Sequence, residues 1–480
     1  MKIFLNIFLL LFISGLWGIS CKRLIQVPKV PGNIEYLDDP FADSIAVLGP
    51  LAAIYMYQGV LPENNDFFEL NILGFGFQNG LMGVACCLSA DELTCYNPSD
   101  KVLDQFYKNN LYADNRYVSF LWNSLYSKIN LINSILEGLD KSNRLSVEFV
   151  NRIKSEIKTV RALYYFYLVN LFGDIPFIST TVIKDNIRIP RLPEKKVYEQ
   201  LEHDLTVSVN TLESKYPSEG RARPNLFTAL ALRSKLYLSM ERWQGAFHDA
   251  DVIIKVGGYE LETDLDAVFL LNSKEAIWQL PFGSSKVVAA DAFFFIPNIN
   301  QNVYQFNLTT QLLSAFESKD RRRENWIRKM GKEDFDKGGV RSDDIYYPYK
   351  YKKTSSVDNH PEEAYMIFRL AEIYLIRAEA AAHLGNTVQA LHDLNIIRRR
   401  AGLDELALSD KEDLLDAIMQ ERRIELFSEW GNRWFDLKRT GKASEVLSKI
   451  KPGWTDDAAL YPIPKNELLL DDLLKPNPGY

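Results

Sequence analysis

Two stretches of this chain repeat each other at a fixed distance, and that repeat limits the architectures open to it. Ala246-Phe247-His248-Asp249, with Ile253, recurs 144 residues later as Ala390-Leu391-His392-Asp393, with Ile397. Each copy follows a helical pattern and a short turn. In the second copy the turn is Leu384-Gly385-Asn386, preceded by Ala378, Ala380, Ala381 and Ala382. Small residues at a set distance from a glycine turn, with alanine early in the next helix, let two antiparallel helices approach closely, which is the tetratricopeptide arrangement of paired helices. Apolar residues recur at three- and four-residue steps over 117–139, 147–172, 194–214, 225–240, 244–256, 308–320, 362–384, 387–400 and 411–428, so helices are expected there. Short strand candidates include 276–280 and 344–351. The expected fold class is therefore mainly α: a tetratricopeptide-like α/α superhelix with a loop-rich, less regular region and a few short strands.

The chain is long enough, at 480 residues, for a large core, and its 47% hydrophobic and 25% charged residues are globular values. Its 56 basic and 63 acidic residues leave a net charge of −7, which argues against nucleic acid as a partner. The 24 Tyr, 27 Phe and 8 Trp point instead to aromatic surfaces. At the N-terminus, Lys2 precedes an apolar stretch interrupted by Asn6, Ser14 and Gly15, and small residues stand immediately before Cys21. Residues 1–20 are expected to be a cleaved secretion signal rather than a membrane-spanning helix. Gly18-Ile19-Ser20-Cys21 resembles a lipoprotein box with Gly18 where Leu is usual, which makes Cys21 the expected lipidation site and 21–40, with Pro28, Pro31 and Pro40, an extended tether.

Signatures of common chemistry are missing: no H-E-x-x-H, G-x-S-x-G or P-loop pattern occurs. No metal or cofactor is expected. Cys86, Cys87 and Cys95 lack zinc spacing and are read as buried free thiols or as one disulfide with a third thiol free. Asp91-Glu92 is a carboxylate pair whose use as glycosidase groups sequence spacing does not support, since the required separation is spatial. His248 and His392 lack clustered partner ligands and are expected on helix surfaces. The triplets Arg321-Arg322-Arg323 and Arg398-Arg399-Arg400 are expected on solvated faces or near helix ends. Trp122 and Trp243 lie inside helical patterns and are expected in the core. The aromatic, amide-rich loops suit ligand contact and hold the ligand candidates. Tyr96 with Asn97, and Phe294, Asn302 and Tyr304, are the candidate ligand contacts.

The C-terminal third carries a family resemblance. Its residues 421–443 read ERRIELFSEWGNRWFDLKRTGKA, Tyr461-Pro462-Ile463-Pro464 follows, and Asn477-Pro478-Gly479-Tyr480 ends the chain. With RLAEIYLIRAEAAAHLG at 369–385, SAFESKDRRRENWI at 314–327 and the Cys21 junction, this resembles the SusD/RagB family of outer-membrane nutrient-binding lipoproteins. Within that motif Ile418, Arg422, Glu425 and Glu429 fall at helical steps suited to bridging charges, and Trp434 and Phe435 to core anchoring. The resemblance implies one SusD-like domain over 41–480, an N-terminal part of about 41–240 intertwined with a C-terminal part of about 241–480. It implies a cell-surface, non-catalytic lipoprotein of the outer membrane that captures an oligosaccharide and hands it to a SusC-like TonB-dependent transporter. An oligosaccharide ligand makes Tyr96, Asn97, Phe294, Asn302 and Tyr304 the expected glycan contacts, because a sugar ring packs its C–H face on an aromatic ring while amides satisfy its hydroxyls. Peptide capture, as in the RagB branch, is the alternative, and a secreted glycoside hydrolase a more distant one.

Overall fold

The computed structural model describes residues 41, 43–55, 80–95, 100–282, 287–297, 306–331, 344–354, 362–451 and 453–480. Helices dominate in chain order: α1 (Ser44–Tyr55), α2 (Met82–Ser89), α3 (Lys101–Lys108), α4 (Arg116–Lys141), α5 (Val147–Phe172), α6 (Glu194–Thr211), α7 (Leu226–Ser239) and α8 (Trp243–Val256). After the short α9 (Ala290–Phe295) come α10 (Leu370–His383), α11 (Thr387–Arg400), α12 (Lys411–Glu425), α13 (Asn432–Arg439) and α14 (Lys465–Leu470). Neighbours in sequence pack as neighbours in space: α4 on α5, α5 on α6, α6 on α7, α7 on α8, α8 on α10, and α10 on α11 and α12. Short turns make α4 and α5, α7 and α8, and α10 and α11 antiparallel hairpins, and their stack is the tetratricopeptide-like superhelix that the repeat predicts.

The repeat has a physical basis beyond small residues. Arg233 on α7 grips Asp249 on α8 with two hydrogen bonds, Nε to Oδ2 at 2.7 Å and Nη2 to Oδ1 at 2.9 Å. Arg377 on α10 grips Asp393 on α11 in the same way, with both bonds at 2.7 Å, and both pairs are related by the 144-residue offset. Each clamp crosses a helical hairpin and replaces the water around two buried charges with a fork-to-carboxylate match. His248 is exposed and His392 lies at the surface beside Asp393, as expected.

Among the described residues three two-stranded antiparallel ribbons complete the fold: β1 (Leu93–Cys95) with β3 (Phe306–Leu308), β2 (Ala276–Pro281) with β6 (Ala364–Arg369), and β4 (Ile327–Met330) with β5 (Ile345–Pro348). The helix expected over 362–384 therefore begins only at Leu370. Ala364–Arg369 is buried on both faces and pairs with β2, so its unbroken apolar run belongs to a strand. The helix expected over 308–320 shrinks to Thr310–Leu313, because Phe306–Leu308 is drawn into pairing with β1. β2 and β5 fall where strands are expected.

Arg398-Arg399-Arg400 close α11, as expected near a helix end, but the solvated faces expected for the triplets are corrected. Arg322 is buried and bonds Asp320, Glu421 and Glu425, while Arg398 and Arg400 are buried against Glu317, Glu421, Glu275 and Glu425. Only Arg321, Arg323 and Arg399 reach the surface. The hub of this network is Glu425, fully buried at the end of α12. It accepts from Arg322 at 3.0 Å, from Arg369 at 2.5 Å and from Arg400. Glu429, just past α12, takes Arg369 at 2.8 Å and Lys350 at 2.5 Å. The spaced charges of the C-terminal motif thus join α11, α12, β6 and the segment after β5, while Trp434 and Phe435 are buried as expected. Among the described residues no helix is long and apolar enough to cross a membrane.

Candidate ligand-binding corner

The β1–β3 ribbon sets the position of the candidate site. Thr309 closes it: its backbone N–H donates to the Glu92 carbonyl at 2.9 Å and its hydroxyl to the Asp91 carbonyl at 2.6 Å. Asp91 is in turn fixed by Arg423 of α12 at 2.7 Å and by Arg433 of α13 at 2.8 and 3.0 Å. The two guanidinium groups hold its carboxyl below the usual range against the opposing effect of burial. Charges from the C-terminal motif therefore anchor the root of a ribbon more than 300 residues earlier in the sequence.

Cys95 pairs with Phe306, so segments 96–99 and 298–305 attach to the same end of this ribbon. The β4–β5 ribbon lies beside it, with the Asn307 side chain accepting from the Tyr346 backbone N–H at 2.8 Å. Met330 pairs with Ile345, so segment 332–343 attaches to that ribbon's end. Ile296, just past α9, packs with Met330, Ile345, Tyr347 and Tyr349. One corner thus gathers the attachment points of the aromatic, amide-rich loops.

Of the expected glycan contacts, Phe294 lies in this corner. It is half-buried on α9, with its ring edge-on to Phe293 at 5.4 Å and its Cδ2 close enough to Gly80 that a Cβ there would sit 3.0 Å away. Gly80 has φ +83°, and the close approach fixes the height of the α9 aromatic face. Tyr96, Asn97, Asn302 and Tyr304 lie outside the described residues, as does Cys21.

Beneath the corner lie three buried acidic groups. Burial pushes the Asp291 carboxyl up to about 7, and Glu92 likewise to about 7. Burial and the neighbouring Glu92 push the Cys87 thiol up as well. Asp91 and Glu92 are 2% and 1% exposed, so neither is open to a glycosidic bond as an acid–base pair. Cys86 and Cys87 are buried free thiols. No group of three or more His, Cys, Asp or Glu among the described residues is placed to hold a metal.

Sequence reasoning misplaced one aromatic residue. Trp122 is buried, but Trp243 is half-buried, stacked on the His383 imidazole at 3.7 Å and 5°. The pair lines a cleft of about 840 Å³ between the α7–α8 turn, α10, α12 and α13. The signal was its place at the first position of α8, where a helix end leaves one ring face uncovered.

The SusD family model matches residues 293–480, and a model described as starch-binding associating with outer membrane matches 92–238. SusD-like protein P25 of Formosa agariphila is 27% identical over 411 residues, covering 74% of this chain and 78% of that one. A SusD superfamily protein from Bacteroides vulgatus superposes with a TM-score of 0.77 at 22% identity, over 91% of this chain and 99% of the other. Surface glycan-binding protein A from Bacteroides thetaiotaomicron, solved in complex with laminarihexaose, gives 0.74 at 22% identity, over 90% and 99%.

Proposed function

The chain belongs to the SusD/RagB family, and on that premise we propose that it is a non-catalytic, cell-surface glycan-binding lipoprotein whose loop-bearing corner takes an oligosaccharide. The observation that carries this reading is the convergence of the β1–β3 ribbon, the β4–β5 ribbon and the α9 aromatics at one place. Phe294 there offers a ring to the C–H face of a sugar, and Tyr96, Asn97, Asn302 and Tyr304 belong to the segments that leave the same strand ends. Two structural neighbours support the ligand class: one is described as a laminarin-binding SusD-like protein and one holds laminarihexaose.

Acylation at Cys21 after removal of 1–20 would tether the domain, residues 41–480, to the outer membrane. A SusC-like TonB-dependent transporter is the partner that receives the glycan. Capture and release need no bond to break, and affinity in the micromolar range, about −8 kcal/mol, suffices for that role. The test is isothermal titration of residues 22–480 against laminarihexaose, other hexasaccharides and a matched peptide panel, with product analysis of every mixture. Saturable sugar binding without products is the expected result. Heat with peptides alone would move the ligand class to peptides, and cleaved products would make the protein an enzyme.

A further inference from the structure

A second cleft, of about 700 Å³, lies between α4, the segment 176–189 and α14, and shares no residue with the loop-bearing corner. Its lining divides into two polar walls over an apolar floor. On α4, Asn123, Ser127 and Asn130 follow one another at four- and three-residue steps and so form a single stripe, exposed along its length. No described residue hydrogen-bonds their side chains. Across the cleft, Asn186 donates its amide to the Thr180 carbonyl at 2.7 Å, which leaves its Oδ1 enclosed with no described partner. Glu467 stands beside it, half-buried, with no cation among the described residues at salt-bridge distance.

The floor is Tyr126, whose hydroxyl is already committed to the Pro176 carbonyl at 2.8 Å, so that only its ring is on offer. Ile187 and Leu470 extend this apolar surface at the rim, and they are 59% and 83% exposed. Together with the Tyr126 ring they give the cleft an apolar surface that the apolar face of a ligand would cover. Spare donors and acceptors on both walls imply that the same ligand carries hydroxyls. The two carboxylates of the lining, Glu467 and Asp471, come with no lining cation, which disfavours an anion. A neutral pyranose has the required combination: C–H groups on one face and hydroxyls around its edge.

We propose that this cleft is a second saccharide-binding site, which holds a neutral sugar ring of the glycan between the α4 amides and Glu467. The choice of a glycan as ligand rests on the proposed function. Two sites on one chain would hold a long glycan at two points, and the second contact is made at the effective concentration set by the first.

The test is saturation-transfer NMR of residues 22–480 with glucose, galactose, mannose, xylose and laminarihexaose, repeated on two cleft variants and on Phe294→Leu. Asn130→Ala with Glu467→Ala removes a group from each wall; Ser127→Trp fills the space. These side chains hydrogen-bond and ion-pair with no described residue, so both variants should melt with the wild type. The expected result is about a tenfold loss of affinity in both cleft variants, with part of the binding retained in Phe294→Leu. Full binding in both cleft variants, with loss in Phe294→Leu, overturns the second site and leaves the corner standing. Loss in the cleft variants alone supports this site and removes the corner. No sugar signal with the wild type overturns both.

Discussion

Glu425→Gln isolates the charge that holds the C-terminal motif together. The amide keeps the shape of the carboxyl but removes one negative charge from among Arg322, Arg369 and Arg400, all within hydrogen-bond reach of a fully buried side chain. It also turns one acceptor into a donor facing guanidinium N–H groups. Removing one member of a buried ionic network costs about 3–5 kcal/mol, because the remaining charges stay desolvated. At roughly 2–4 °C per kcal/mol for domains of moderate size, and less for a longer chain, the melting temperature should fall by about 5–10 °C. The effect has a pH signature. The three arginines hold the Glu425 carboxyl well below its ordinary value against burial. Its contribution is therefore complete above the unfolded carboxyl value of about 4.3 and is lost as pH falls toward the lower folded value. Thermal melts of wild type and variant at a fixed scan rate should differ equally at pH 6 and pH 8, and the gap should narrow below pH 4. A loss below about 2 °C at neutral pH, or a gap that widens in acid, would refute this role for the charge.

Three further substitutions test other parts of the fold. Glu241 holds φ +56° in the α7–α8 turn, at the position 144 residues before Gly385 with φ +77° in the α10–α11 turn; Glu241→Gly should relieve about 1 kcal/mol of left-handed strain and raise the melting temperature, whereas an unchanged melt would contradict it. Gly431→Ala should destabilise by more than about 2 kcal/mol in chemical denaturation, since its φ is +70° and a Cβ would sit 2.4 Å from the Cys86 Cβ; a loss under 1 kcal/mol would mean that α2 yields easily. Asp291 titrates near 7 in the folded chain and about 3.9 when unfolded, so it lowers stability progressively from pH 4 to 7. Asp291→Asn should melt higher relative to wild type at pH 8 than at pH 5, and a constant difference would sink the assignment.

The helical hairpins were legible because a 3.6-residue apolar period survives in each one and the repeat carries its own register. Asp249 and Asp393 stood inside the recognised repeat, yet their partners Arg233 and Arg377 went unnoticed, although the same 144-residue offset relates them. The arginine triplets were misplaced for a different reason. Arg322 meets Glu421 and Glu425 across about a hundred residues, and no local pattern distinguishes such a charge from a solvated one. The β6 strand was hidden because its apolar residues Ala364–Phe368 are separated from α10 by Arg369 alone, with no turn signal between them. At the candidate corner, aromatic content pointed to the α9 segment, but its junction with Asp91, Arg423 and Arg433 depends on tertiary pairing alone.

The most direct test of glycan capture at this corner is a titration of wild type and Phe294→Leu with the tightest-binding hexasaccharide, with product analysis of the same samples. Leucine keeps most of the apolar volume against Gly80 and removes the ring, a loss worth about 1–1.5 kcal/mol for one stacking contact. The expected result is saturable, micromolar binding without cleavage by the wild type, and about tenfold weaker binding by a variant that melts within a few degrees of it. Equal affinity in the two proteins, or hydrolysed sugar in either, would contradict capture by the aromatic corner.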